Sequence, residues 1–129
     1  MTLDAGLVAQ AAHLKSRGLA PLNVTRAPLA DCRAMTERIG AVLNEGSLPL
    51  ERERDLTLPG ADGAIPCRLY LPDGVARPPL MVYAHGGSFA LGALASWNGM
   101  LRELARSSGV ANTVATIWPL MWYSGSEDS

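Results

Sequence analysis

Cysteine and histidine are scarce: Cys32 and Cys67, His13 and His85 make two of each in 129 residues. Two thiols cannot build a disulfide framework, and no C-x-x-C or comparable spacing joins them to the histidines. Zinc is therefore not expected, no other metal or cofactor is called for, and a reducing, cytoplasmic setting is the natural reading. Charge of one sign is missing too, since eleven Lys+Arg against twelve Asp+Glu leave a formal net charge of -1, with no basic run. That excludes the electrostatic footprint of a nucleic-acid binder. The start, Met1-Thr2-Leu3-Asp4, has neither a positive n-region nor a compact apolar h-region, so export is not expected. Nor is a membrane span expected. The charge-free stretch from Ser107 to Ser126 has the length, but residues such as Ser107, Ser108, Gly109, Asn112 and Pro119 make half of it small or polar. Internal repeats and low-complexity tracts are absent.

What remains is an ordinary globular composition, 48% hydrophobic and 18% charged, in a chain long enough for one core and too short for two. Leu3, Leu7, Ala11 and Leu14 recur at helical spacing behind Thr2 as cap, with Gly18 and Pro21 as stops, which predicts a short amphipathic helix. His13 falls off this stripe and reads as a solvated residue. A second helix follows Pro28, carrying Leu29, Cys32, Met35, Ile39, Val42 and Leu43 on one stripe and ending at Gly46. Cys32 on that stripe reads as a small apolar packing residue.

From Leu48 the period changes to two. Leu50, Leu56 and Leu58 lie opposite Glu51, Glu53 and Asp55, as in a half-buried strand, while Arg52 and Arg54 interrupt the apolar side and place its first half near an edge. Gly60-Ala61-Asp62-Gly63 supplies a turn. Ile65, Cys67, Leu69 and Leu71 then alternate with Pro66, Arg68 and Tyr70, predicting an antiparallel hairpin. Leu80-Met81-Val82-Tyr83-Ala84 has no polar alternation and reads as a strand buried on both faces. The loop from His85 to about Ala95 leads into a helix with Met100, Leu101, Leu104 and Ala105, closed by Gly109, and Val110 to Ile117 reads as the next strand. The sequence thus predicts a βαβ unit and an α/β fold.

His85-Gly86-Gly87-Ser88 stands at the carboxyl end of the apolar strand, where open α/β sheets place their sites. Two glycines let the backbone turn freely and aim successive N–H groups at one point, as stabilising an oxyanion requires. A Gly-Gly pair in isolation is also the mark of a simple tight turn. Strand, His, Gly-Gly and Phe89 together resemble the hormone-sensitive-lipase-like esterases, α/β-hydrolases with an HGGG-type motif. The resemblance runs through Leu58-Pro59-Gly60-Ala61-Asp62-Gly63-Ala64-Ile65-Pro66-Cys67-Arg68-Leu69-Tyr70 and through Val82-Tyr83-Ala84-His85-Gly86-Gly87-Ser88-Phe89-Ala90-Leu91-Gly92, to about Gly109-Val110.

The resemblance implies the N-terminal part of an α/β-hydrolase fold: cap-like helices in residues 1–46, then early strands, oxyanion loop and first sheet helix in 47–111, and a divergent tail in 112–129. It implies an oxyanion hole at Gly86, Gly87 and Ser88, with Ser88 replacing the usual third glycine. His85 and Phe89 inherit site-shaping roles, and His85 is not the catalytic base. Phe89, Leu91, Leu94 and Trp97 either line one edge of the acyl pocket or belong to the core. The substrate implied is a small acyl ester.

Past Ala111 the family continues into an Asp-Tyr-Arg-Leu-Ala-Pro-Glu-like segment, whereas this chain reads Asn112-Thr113-Val114-Ala115-Thr116-Ile117-Trp118-Pro119. No G-x-S-x-G occurs, and Ser124-Gly125-Ser126-Glu127 does not replace it. Nucleophile, acid and base are therefore absent from these 129 residues. Without a triad, a serine hydrolase retains only about 10³ to 10⁴-fold over water, and only in a formed pocket. Two expectations follow. The chain is a truncated carboxylic ester hydrolase, inactive alone, through a frameshift, a premature stop or a gene-model error; or it is a non-catalytic module that pairs with another chain. The early strands alone leave an open sheet edge and uncovered apolar faces, through which self-association is expected.

Overall fold

The computed structural model describes residues 3–60, 63–87 and 90–115. Helix α1 is Ala5–Ser16 and α2 is Leu29–Leu43; strands β1 Arg52–Gly60 and β2 Gly63–Leu71 follow, then β3 Leu80–Ala84, a single 3-10 turn Leu94–Trp97, helix α3 Asn98–Ser108 and β4 Ala111–Ala115. Among the described residues, one sheet in the order β1-β2-β4-β3 collects all four strands. The β1–β2 pair is an antiparallel hairpin in register from Arg52↔Leu71 to Gly60↔Gly63, whereas β3 and β4 are parallel, from Leu80↔Ala111 to Ala84↔Ala115. The expected βαβ unit forms, and Gly109 closes α3 in the left-handed region at φ 68°, a conformation cheap only without a Cβ.

Two local expectations change. Asp4 caps α1, its carboxylate accepting from the Gly6 and Leu7 amides at 2.8 and 3.4 Å, while Thr2 lies outside the described residues. The apolar stripe of α1 is not buried: Leu3 and Leu7 are exposed and Leu14 is half-buried, while Leu19, just past the helix, is buried. Helix α2 buries Cys32 but leaves Leu43 exposed, and it ends at Leu43 with Asn44 as its C-cap, before the expected stop at Gly46. His13 is exposed, as its position off the stripe predicts.

The larger correction concerns the sheet. Residues paired across strands share a face. Glu53, Tyr70 and Asn112 therefore stand on one side with Asp55, Arg68 and Val114, and α3 packs on that side through Leu101 and Ala105. Tyr70, Leu101, Ala105, Asn112 and Val114 are fully buried there. The other face carries Leu56, Leu58, Leu80 and Val82, all exposed, Val82 by 71%. So, among the described residues, β3 is not buried on both faces but stands at the edge of the sheet with Leu80 and Val82 exposed, and the apolar side of β1 looks away from α3. The reason is that the polar side is satisfied by α3 itself. Arg102 forms a two-pronged ion pair with Glu53 at 2.6 and 2.8 Å, and Tyr70 donates to Asn98 Oδ1 at 2.5 Å. Burial pushes the Tyr70 phenol up to about 12, with the Arg68 cation opposing it. Arg68 clamps Asp55 through two bonds and reaches Asn98, joining hairpin to helix.

Cys32 and Cys67 are both free and buried, and burial pushes the Cys67 thiol up. Neither should react with Ellman's reagent in the native chain, and both should react once denaturant unfolds it. Rapid modification of either thiol without denaturant would contradict this packing.

Candidate oxyanion loop

Strand β3 delivers the chain to His85 at the carboxyl end of the sheet, and the loop returns to α3 through Trp97. No charged residue occurs from His85 to Trp97. Within the loop itself, backbone and ring contacts set the geometry. Gly87 O accepts from the Ala90 and Leu91 amides at 3.0 and 2.9 Å, closing a tight turn. At Gly87, with φ 142°, a Cβ would stand 2.2 Å from Leu91 O, so no side chain fits. Gly86 has open space in the same direction. Among the described residues neither Gly86 N nor Gly87 N meets an acceptor.

His85 turns back on its own loop. Its Nδ1 lies 2.9 Å from Gly86 O, which fixes that nitrogen as the donor because a carbonyl only accepts. The ring stacks on Trp97 with centroids 6.0 Å apart at 25°, and Trp97 in turn meets Tyr83 at 5.7 Å. A Cβ on Gly92 would come within 3.4 Å of the His85 ring, so glycine there lets the loop close over the imidazole. His85 Nε2 and Trp97 Nε1 are buried without a partner among the described residues. With Nδ1 donating to Gly86 O, the unprotonated ring nitrogen is Nε2, and it is buried.

The structure thus brings His85, Gly86 and Gly87 together, while Ser88 and Phe89 lie outside the described residues. Leu94 and Trp97 pack against the core cluster, which favours the core reading for both over a pocket lining. No group of three His, Cys, Asp or Glu able to hold a metal occurs among the described residues. Likewise, no helix among them is long and apolar enough to cross a membrane.

Sequence reasoning missed how α2 bears on this loop. Gly40 lets α2 approach until a Cβ there would touch Ser96 Cβ at 2.9 Å. Asn44 donates to Ala95 O at 2.7 Å and accepts from Gly99 N at 2.6 Å, while Arg33 Nε donates to Ala90 O at 2.9 Å. A signal was present, because a glycine inside a helical pattern disfavours the helix by about 1 kcal/mol and so points to a close approach.

A hyperthermophilic esterase from the archaeon Pyrobaculum calidifontis superposes on 89% of the chain with a TM-score of 0.73 at 28% identity, using 36% of its own length. EstE1, a thermostable carboxylesterase from a metagenomic library, superposes on 73% with a TM-score of 0.65 at 27% identity, over 32% of its own chain. The chain has part of the α/β-hydrolase fold, and these structural neighbours are esterases of the hormone-sensitive-lipase-like type. Among curated proteins, the carboxylic ester hydrolase LipN of Mycobacterium tuberculosis is 39% identical over 56 residues, which is 43% of this chain and 15% of LipN. The versiconal hemiacetal acetate esterase stcI of Emericella nidulans is 32% identical over 71 residues, 53% of this chain and 24% of its own. The chain therefore spans less than a quarter of either curated relative in sequence, and about a third of the structural ones. No protein-family model matches the chain.

Proposed function

We propose that this chain supplies the oxyanion loop of a carboxylic ester hydrolase, with the backbone amides of Gly86, Gly87 and Ser88 as donors and His85 and Phe89 shaping their surroundings. The observation that carries the reading is the His85-Gly86-Gly87 turn at the end of β3, its two glycine amides without acceptors among the described residues, in a fold shared with esterases. When an ester carbonyl is attacked, its oxygen gains negative charge. Preorganised N–H groups at about 2.7–3.1 Å then bind it more strongly than the ground-state carbonyl. The stretch from His85 to Trp97 itself carries no carboxylate that would oppose an oxyanion. Residues 1–46 act as a cap segment and 47–111 as the early core, with a small acyl ester as substrate and the cytoplasm as the place of action.

The attacking hydroxyl, its base and the acid are not supplied by these residues, so the chain alone is inactive. In a p-nitrophenyl butyrate assay it should give no rate above buffer. Exchanged for the matching part of the Pyrobaculum calidifontis esterase, residues 3–115 should support hydrolysis, and Gly87→Ala in that chimera should lower kcat by about 10² to 10³-fold. Turnover by the isolated chain that a serine-directed phosphonate abolishes, or a folded chimera indifferent to Gly87→Ala, would overturn the reading. A second reading, a non-catalytic module that pairs with another chain or with itself, is favoured by β3, whose outer edge has no partner strand among the described residues while Leu80 and Val82 stand exposed beside it.

A further inference from the structure

We propose that α2 is the latch of the Gly86–Gly87 loop and that Arg33 is its positioning residue, an inference that rests on reading this loop as the oxyanion loop. Helix α2 packs on the 3-10 turn Leu94–Trp97 rather than on the sheet, so its main structural neighbour is the segment that follows the two glycines. Arg33, Gly40 and Asn44 are spaced by seven and four residues, which places them on one stripe of a 3.6-residue helix. Each of them meets the loop at a different point. Arg33 takes Ala90 O, Gly40 admits Ser96, and Asn44 bridges Ala95 O and Gly99 N.

Of the three, Arg33 acts nearest the glycines. Ala90, whose carbonyl it holds, sends its own amide to Gly87 O, so the guanidinium and the tight turn are joined through a single residue. The contact is part-buried and charge-assisted, which makes it stronger than an exposed neutral bond. It links positions 57 residues apart, so any shift of α2 is transmitted to the turn that aims the Gly86 and Gly87 amides. A cap-like helix thereby sets the shape of the loop without touching the reacting atoms.

Amide hydrogen exchange on the 129-residue chain tests this with Arg33→Met, which removes the donors and keeps the stem, and Arg33→Lys, which keeps a charged donor. In Arg33→Met the Ala90 and Leu91 amides should exchange about tenfold faster, while amides of β2 and β4 keep their wild-type rates. Arg33→Lys should recover most of the protection. Asn44→Ala should speed the Gly99 amide and leave Ala90 and Leu91 as in wild type. Unchanged Ala90 and Leu91 rates in Arg33→Met, a parallel rise across the sheet, equal loosening of Ala90 by Asn44→Ala, or loss of folding in both Arg33 variants would each overturn the proposal. The exchange rates report the latch whatever the loop binds, whereas indifference of the chimera to Gly87→Ala reports failure of the oxyanion reading alone.

Discussion

Replacing Leu101 with alanine is expected to lower the stability of the folded chain by about 3 kcal/mol, read as a shift of the urea midpoint with little change in slope. Leu101 is fully buried at the centre of the cluster formed by Leu50, Tyr70, Ala105 and Val114, with Tyr83, Leu94, Trp97 and Leu104 packed around it. Truncation removes its contacts with both the sheet and the loop side of the core and leaves a cavity that β2 and β4, held in their ladders, cannot close. Its carbonyl also accepts from Asn112 Nδ2 at 3.2 Å, so movement of the helix to fill the space would loosen a buried side chain that has this one bond among the described residues. Ordinary domains are stable by about 5–15 kcal/mol, so a change of this size would be a large fraction of the total. Leu101→Met, which conserves volume, should cost less than about 1.5 kcal/mol. A fall of similar size in both variants would show that shape rather than the cavity decides.

Arg102→Met is the second large effect, expected at about 2 kcal/mol near neutral pH, and it carries a pH signature. In the wild-type chain the Arg102 guanidinium holds the Glu53 carboxyl below its ordinary 4.5, against an opposing effect of burial, and the Leu50 amide adds a further bond. A carboxylate whose folded value is depressed contributes stability that is present above its unfolded value and is lost as pH falls through the folded one. Without Arg102 this depression is relieved: Glu53 and Arg102 are only 18% and 15% exposed, so removing the cation leaves a largely buried carboxylate opposed by desolvation and supported only by the Leu50 amide and the Arg68 cation. The variant should therefore be most impaired at pH 7 and approach the wild type only as pH falls through the depressed Glu53 value of the wild type, below which the carboxyl is protonated in both. Urea titrations stepped from pH 7 down to about pH 3 would measure this. A deficit that is constant with pH would mean that the stem of Arg102, not its charge, is what α3 uses. The exposed Arg17–Glu45 pair at 2.8 Å should show no comparable effect, since solvent screens it.

Much of the architecture could be read before any coordinates. The hairpin follows from turn chemistry between Gly60 and Gly63, and the βαβ unit from an apolar strand, a glycine-rich loop and a helix ending in Gly109. These are local signals, each decided by residues within a few positions of one another. The same holds for the placement of His85-Gly86-Gly87 at the end of β3, because strand period and glycine position together fix where the chain must turn. The family resemblance drew on those same stretches.

Other features were illegible because they are settled by partners distant in sequence. Alternation along β1 separates Leu56 and Leu58 from Glu53 and Asp55, but period two cannot say which side another element will cover. Here α3 covers the charged side, since Arg102 and Asn98 satisfy Glu53 and Tyr70 there. The stripe of α1 is a similar case: spacing marks an apolar face, yet burial needs a surface to meet it, and Leu7 remains exposed.

By itself, then, the sequence determined the order and type of the elements, the absence of a G-x-S-x-G turn within these residues and the position of the glycine loop, all of which depend on local backbone preference and spacing. Only the tertiary structure decided which sheet face forms the core, that β3 stands at the edge among the described strands, and that Arg33, Gly40 and Asn44 bring α2 onto the loop. Those outcomes depend on contacts between segments about 50 residues apart, as in the 51 residues between Asn44 and Ala95, where desolvation, ion pairing and close packing are weighed together and no local pattern records the balance.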